Sequence, residues 1–133
     1  MTTPIWLTFE EIQELSEVVG SHFPEHPVLL PSAREDALAS ALSRAPNRFF
    51  YDQQTDILVF AALYIQSIAK AHAFLDGNKR IAFLAATLFL HRYGIRLNEP
   101  LPGFFAAIVI SLVKDEISVE AAAEMLQTYA EFE

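Results

Sequence analysis

His72, Asp76, Asn78, Lys79 and Arg80 fall within one run of nine residues, His72-Ala73-Phe74-Leu75-Asp76-Gly77-Asn78-Lys79-Arg80. A histidine titrates near neutrality and can accept a proton from a hydroxyl, so His72 is the candidate general base. Asp76 supplies a carboxylate of the kind that holds Mg²⁺ together with phosphate oxygens. Gly77 can take a positive φ and let the backbone curl around an oxyanion. Lys79 and Arg80 add two cations. These residue types, in this order, suit the holding of a nucleotide phosphate and the transfer of part of it onto a hydroxyl.

The segment that follows supports this reading. Ile81 to Leu90 reads IAFLAATLFL and carries no charge, so it is expected as a helix buried on every side. Gly94 is the natural residue beyond its C-terminus, and His91 and Arg92 suit the negative end of the helix dipole. Lys79 and Arg80 stand at the opposite end, where exposed cations each cost roughly 0.3–1 kcal/mol. That placement makes sense when an anion shares the site, because the free N–H groups of a helix start favour phosphate.

Each residue alone also has a plainer reading. Asp76 or Asn78 could be the N-cap of the buried helix, and His72 a hydrogen-bonded histidine at a helix end. Phe74 reads as a core anchor in either account. Lys79 and Arg80 could be solvated charges or partners of Asp76. The functional reading rests on the joint occurrence of these residues ahead of a charge-free helix.

At these residues the chain resembles Fic domains, whose signature is written HxFx(D/E)GN(G/K)Rxx(R). His72, Phe74, Asp76, Gly77, Asn78, Lys79 and Arg80 match the lysine form found in the death-on-curing (Doc) branch, the toxins of certain toxin–antitoxin modules. Looser likeness extends over Trp6-Leu7-Thr8 with Glu10-Glu11, the Ala37-to-Pro46 segment and the acidic final helix. Ala73 stands where adenylylating Fic proteins commonly have proline, Lys79 replaces their second glycine, and Phe83 replaces a second arginine that helps present the α-phosphate. The resemblance therefore implies transfer of the γ-phosphate of ATP, or of another nucleoside triphosphate, to a hydroxyl of a target protein, with a translation factor as the kind of target. The alternatives are AMP transfer to a protein hydroxyl and a non-catalytic binding module of the same fold.

In the implied mechanism His72 is the base and Asp76 holds Mg²⁺. Phe74, Gly77, Asn78, Lys79 and Arg80 are the expected nucleotide- and phosphate-binding residues; backbone N–H groups near Gly77 and Asn78 form the anion cradle, and the Asn78 amide adds a donor. Lys79 and Arg80 supply fixed positive charge. Many Fic proteins restrain themselves with a helix of pattern [S/T]xxxE[G/N]. No glutamate here is followed by Gly or Asn, so the brake is expected to be a separate antitoxin.

The elements expected to position these residues are nearly all helical. Thr8-x-x-Glu11 reads as a capping box opening a helix to about Phe23, with Ile12, Leu15, Val18 and Val19 at helical spacing. Pro24, Pro27 and Pro31 mark an irregular segment. Ser32 is the expected cap of a second helix that stops at Pro46. Asn47 to Gln54 is expected as a loop. Its Arg48, Phe49, Phe50 and Tyr51 either cap the core or form the flap that Fic proteins place before the signature, gripping an extended target segment by strand addition. Thr55 or Asp56 starts a long helix into the signature. Ile95 to Pro102 reads as extended, Gly103 to Lys114 as an apolar helix, and Ser118 as the cap of the last helix. The expectation is an all-α fold: one domain over residues 1–133, a compact bundle of about six helices around a central buried helix after the signature.

Composition narrows the class further. The chain has 133 residues, is 53% hydrophobic, carries a formal net charge of −8 and has no cysteine. Disulfides and thiolate metal sites are therefore excluded. The negative charge argues against direct nucleic-acid binding and suits a basic partner protein. With glycine only at 20, 77, 94 and 103, neither a P-loop nor a GxGxxG loop is present, so conventional kinase and ATPase architectures are excluded. His22 and His26 have helical spacing, but Pro24 between them disfavours a zinc pair. Asp115, Glu116, Glu120 and Glu124 read as a solvated acidic face. The N-terminus shows no secretory signal and Ile81 to Leu90 is too short to span a bilayer, so the chain reads as cytoplasmic with no membrane association.

Overall fold

The computed structural model describes residues 3–22 and 34–133. Six helices and two short strands follow one another in the order α1 (Phe9–His22), α2 (Glu35–Asp52), α3 (Ile57–Ala71), α4 (Asn78–His91), β1 (Ile95–Leu97), α5 (Phe104–Val113), α6 (Val119–Thr128) and β2 (Ala130–Phe132). The architecture is all-α, as the sequence predicts, and buried side chains from all six helices join in one apolar cluster.

Local chemistry sets three of the six helix starts among the described residues. At α1 the capping box forms in full: the Glu11 N–H donates to Thr8 Oγ1 at 3.2 Å, and the Thr8 N–H donates to Glu11 Oε1 at 2.9 Å. Asp56 caps α3 by accepting the Leu58 N–H at 2.9 Å. Ser118 caps α6 by accepting the Ala121 N–H at 3.0 Å. The segment ahead of α1 is tied down by side chains from α3 and the end of α4. The Tyr64 hydroxyl accepts the Leu7 N–H at 3.1 Å, the Tyr93 hydroxyl accepts the Ile5 N–H at 2.8 Å, and Arg92 pairs with Glu11. Trp6 is thereby held among Phe49, Phe60 and Phe89.

Three expectations are corrected. The central helix is α3 rather than α4: α3 is buried without a break from Leu58 to Ile65 and packs against α2, α4, α5 and α6. In α4 the positions Phe83, Leu84, Thr87 and Leu88 are only half-buried, so one of its sides faces a partly open space. Second, α2 does not stop at Pro46 but runs through it to Asp52. Burial of Leu42 and Ala45 before the proline, and packing of Phe49 on Trp6 and Phe60 after it, hold one face of the helix on the core and offset the lost backbone bond. The expected loop and flap at Arg48 to Tyr51 is thus helical, and a helix offers no backbone edge for strand addition. Third, Ile95 to Leu97 is not merely extended. It pairs antiparallel with Ala130 to Phe132 in the register Ile95↔Phe132, Arg96↔Glu131 and Leu97↔Ala130. The three prolines 24, 27 and 31, the expected cap Ser32 and His26 lie outside the described residues.

Candidate active site

The signature run is the turn between α3 and α4. Helix α3 ends at Ala71, and His72 follows in the left-handed region at φ 48°, ψ 43°. That conformation ordinarily favours glycine, and here it turns the chain out of the helix with the imidazole exposed. Ala73 and Phe74 then point inward and are buried, whereas Leu75 and Asp76 are exposed. Gly77, at φ 76°, occupies the N-cap position of α4. Neither Asp76 nor Asn78 is the cap, so that plainer reading is corrected. The Asp76 carboxylate accepts the Gly77 N–H at 2.8 Å through Oδ1. The first turn of α4 receives no side-chain cap, and its leading N–H groups have no acceptor within the helix.

Asn78 braces the turn from inside. Its Oδ1 accepts the Phe74 N–H at 3.0 Å and its Nδ2 donates to the Phe74 carbonyl at 2.9 Å. The amide expected to donate to phosphate is thus engaged with the backbone, and its contribution is to fix the shape of the turn. Phe74 anchors the turn in the core and does not line the cleft.

The remaining predicted residues converge. A cleft of about 370 Å³ is lined by His72, Asp76, Gly77, Asn78, Lys79 and Arg80. Base, carboxylate, helix N-terminus and both cations therefore face one volume. Ala69, Leu75 and Val113 complete its wall. Val113 comes from α5, and nothing local in the sequence marks it. Lys70, on the last turn of α3, pairs with Asp115 beyond α5 at 2.7 Å. That ion pair ties α3 to the chain just after α5.

The proposed flap residues stand elsewhere. Arg48 pairs with Asp52 at 3.2 Å and with Glu120 at 3.1 Å. The Glu120 carboxyl lies below its ordinary pKa, held there first by its own backbone N–H and then by Arg48. Phe49 packs inward, while Phe50 and Tyr51 are exposed. None of the four lines the cleft.

Among the described residues no three His, Asp or Glu side chains converge into a metal cage. A single carboxylate suits Mg²⁺ when phosphate oxygens and water complete its shell, so Asp76 fits an ion that arrives with a nucleotide rather than a resident one. Among the described residues no helix is long and apolar enough to cross a membrane.

The described residues form an all-α fold in which a helix N-terminus, a histidine, a carboxylate and two cations line one cleft. Comparison with known proteins agrees. The model of the Fic/DOC family matches residues 6–90, from Trp6 to the end of the buried part of α4. The chain is 30% identical over 118 residues to the protein kinase doc of Escherichia phage P1, covering 89% of this chain and 90% of that one. It is 54% identical over 37 residues to the toxin Doc of Mycolicibacterium smegmatis, 28% of each chain. This chain belongs to the Fic/DOC family.

Proposed function

We propose that this chain is a Doc-type toxin that transfers the terminal phosphate of a nucleoside triphosphate to a hydroxyl of a target protein. The observation that carries the proposal is the convergence of His72, Asp76, the α4 N-terminus, Lys79 and Arg80 on one cleft. The naming of a relative as a protein kinase supports it. So does Phe83, an apolar ring where an adenylylating relative would need a cation.

The chain's residues divide the work as follows. Helix α4 directs its leading N–H groups at the phosphate, in a conformation set by Gly77 and braced by Asn78. Lys79 and Arg80 hold negative charge that grows on the phosphate oxygens. An imidazole nitrogen of His72 takes the proton of the incoming hydroxyl. The hydroxyl oxygen then forms a bond to the terminal phosphorus, the bond from that phosphorus to its bridging oxygen breaks, and the nucleoside diphosphate leaves. His72 afterwards releases its proton to solvent. Asp76 would hold Mg²⁺, which would offset negative charge on the phosphate when bound. A translation factor is the proposed target, and a separate antitoxin chain is the proposed restraint.

Intact-mass analysis of a fraction containing translation factors, incubated with this protein, ATP and Mg²⁺ beside a His72→Ala control, tests the proposal. A His72-dependent gain of one phosphate on one protein is expected. A gain of one AMP would replace it with nucleotidyl transfer. Bound nucleotide with no modified protein would favour a binding module.

A further inference from the structure

The wall of the cleft divides by chemistry. His72, Asp76, Lys79, Arg80 and the start of α4 make one part polar, and the phosphoryl transfer proposed above employs all of them. Ala69, Leu75 and Val113 make the apolar part, which can neither bind a phosphate nor move a proton. Ala69 is buried and Val113 half-buried against the apolar cluster, so packing accounts for both. Packing does not account for Leu75, which is 66% exposed and joins no part of that cluster. The turn does not require it either. Phe74 supplies the anchor, Asn78 the brace and Gly77 the positive φ. A polar residue would suit an exposed turn position better. A lone exposed leucine is ordinary on a protein surface. This one stands three residues after the imidazole, at the mouth of the cleft that the acceptor hydroxyl must enter.

We propose that Leu75 sets the choice of target by seating an apolar side chain that flanks the acceptor hydroxyl in the target's sequence. This rests on the phosphotransferase reading and deepens it. The acceptor's own side chain has to pass inward to bring its oxygen to His72 and the terminal phosphorus. The residues on either side of it stay at the mouth, where Leu75 offers its apolar surface to them. An apolar neighbour that covers Leu75 takes both surfaces out of water. It also keeps bulk water off the reacting phosphorus, where water would compete with the hydroxyl. A charged neighbour gains nothing there and loses hydration without finding a partner, so the contact rejects as well as attracts.

Steady-state kinetics test this, with the protein that gains phosphate in the translation-factor fraction purified as substrate for wild type, Leu75→Gln and Leu75→Met. Glutamine keeps the size and neutrality of leucine and removes its apolar character, and methionine restores that character. Leu75 lies outside the core, so neither change disturbs packing, and Leu75→Ala replaces Leu75→Gln if that variant does not fold. Leu75→Gln is expected to raise KM for the protein substrate about tenfold, the scale of one buried apolar contact, with kcat within about twofold. Leu75→Met should stay near wild type, and ATP affinity by calorimetry should stay within about twofold in both variants. Fragment-mass analysis of the modified protein should place an apolar residue immediately before or after the phosphorylated one. An unchanged KM for Leu75→Gln overturns the proposal, as does a phosphorylated residue with no apolar residue on either side. An equal loss of ATP affinity overturns it too, because the leucine would then be shaping the phosphate site. Wild-type protein that transfers no phosphate overturns the phosphotransferase reading, and the inference falls with it.

Discussion

At the residue scale, the site combines a strained position with a braced one. His72 sits at φ 48°, where a non-glycine side chain costs about 1–2 kcal/mol. The conformation places an exposed imidazole at the lip of the cleft, so stability is given up at the residue proposed as the base. His72→Gly should therefore raise the unfolding free energy by about 1 kcal/mol while abolishing transfer, as denaturant melts and turnover on one preparation would show. A His72→Gly protein no more stable than wild type would remove the strain argument. Asn78 is the brace. Asn78→Ala removes two hydrogen bonds to Phe74 and should cost about 1–3 kcal/mol. It should also weaken nucleotide binding, because the turn that shapes the cradle loosens. A fully stable Asn78→Ala protein with normal nucleotide affinity would make the brace irrelevant. Asn78 was legible in the sequence as a site residue, but its role was not. A side-chain amide that bonds backbone four residues earlier looks identical in sequence to one that donates to a ligand.

At the element scale, the starts of α1, α3 and α6 were legible because their signals are local: a capping box, an Asp cap and a Ser cap, each acting within four residues. Pro46 was misread because the cost of proline is local whereas its compensation is not. The apolar stripe of α2 continues past it through Phe49, which packs on Trp6, 43 residues distant in sequence and unseen by any window. Pro46→Ala should accordingly stabilise the protein by about 1 kcal/mol or more, since the helix already runs through and only the proline penalty is removed. A lowered melting temperature for Pro46→Ala would show instead that the proline sets a bend the core requires. The pairing of Ile95–Leu97 with Ala130–Phe132 was missed for a related reason. Three-residue strands carry no periodicity, and their partner lies across α5 and α6.

At the scale of the whole molecule, α3 is the shaft of the fold. It touches four other helices and delivers His72 at its end, across the cleft from the start of α4. Its largest fully buried side chain is Tyr64, whose phenol is pushed up from 10.0 to about 12, chiefly by burial, against the opposing hydrogen bond from Leu7. The neutral phenol is the form the fold favours. Its contribution is therefore complete below about pH 10 and is lost as the pH rises from there toward 12, by as much as about 2–3 kcal/mol. Tyr64→Phe should lose about 1 kcal/mol near neutrality, where the Leu7 N–H lacks its acceptor, and should show less alkaline destabilisation than wild type. Parallel pH profiles from urea unfolding of the two proteins would contradict that assignment. The cleft wall illustrates what sequence alone withheld. The α3–α4 turn could be read residue by residue, but Val113 reaches the cleft only because α5 packs back beside it. The claim on which the whole account depends is that the terminal phosphate moves under the action of His72. The most direct measurement is label transfer to the target protein from ATP labelled in either its γ- or its α-phosphate, with folded His72→Ala as control. The account predicts label from the γ-position only, and none with His72→Ala. Transfer of the α-label, or undiminished transfer of the γ-label by the variant, would contradict it.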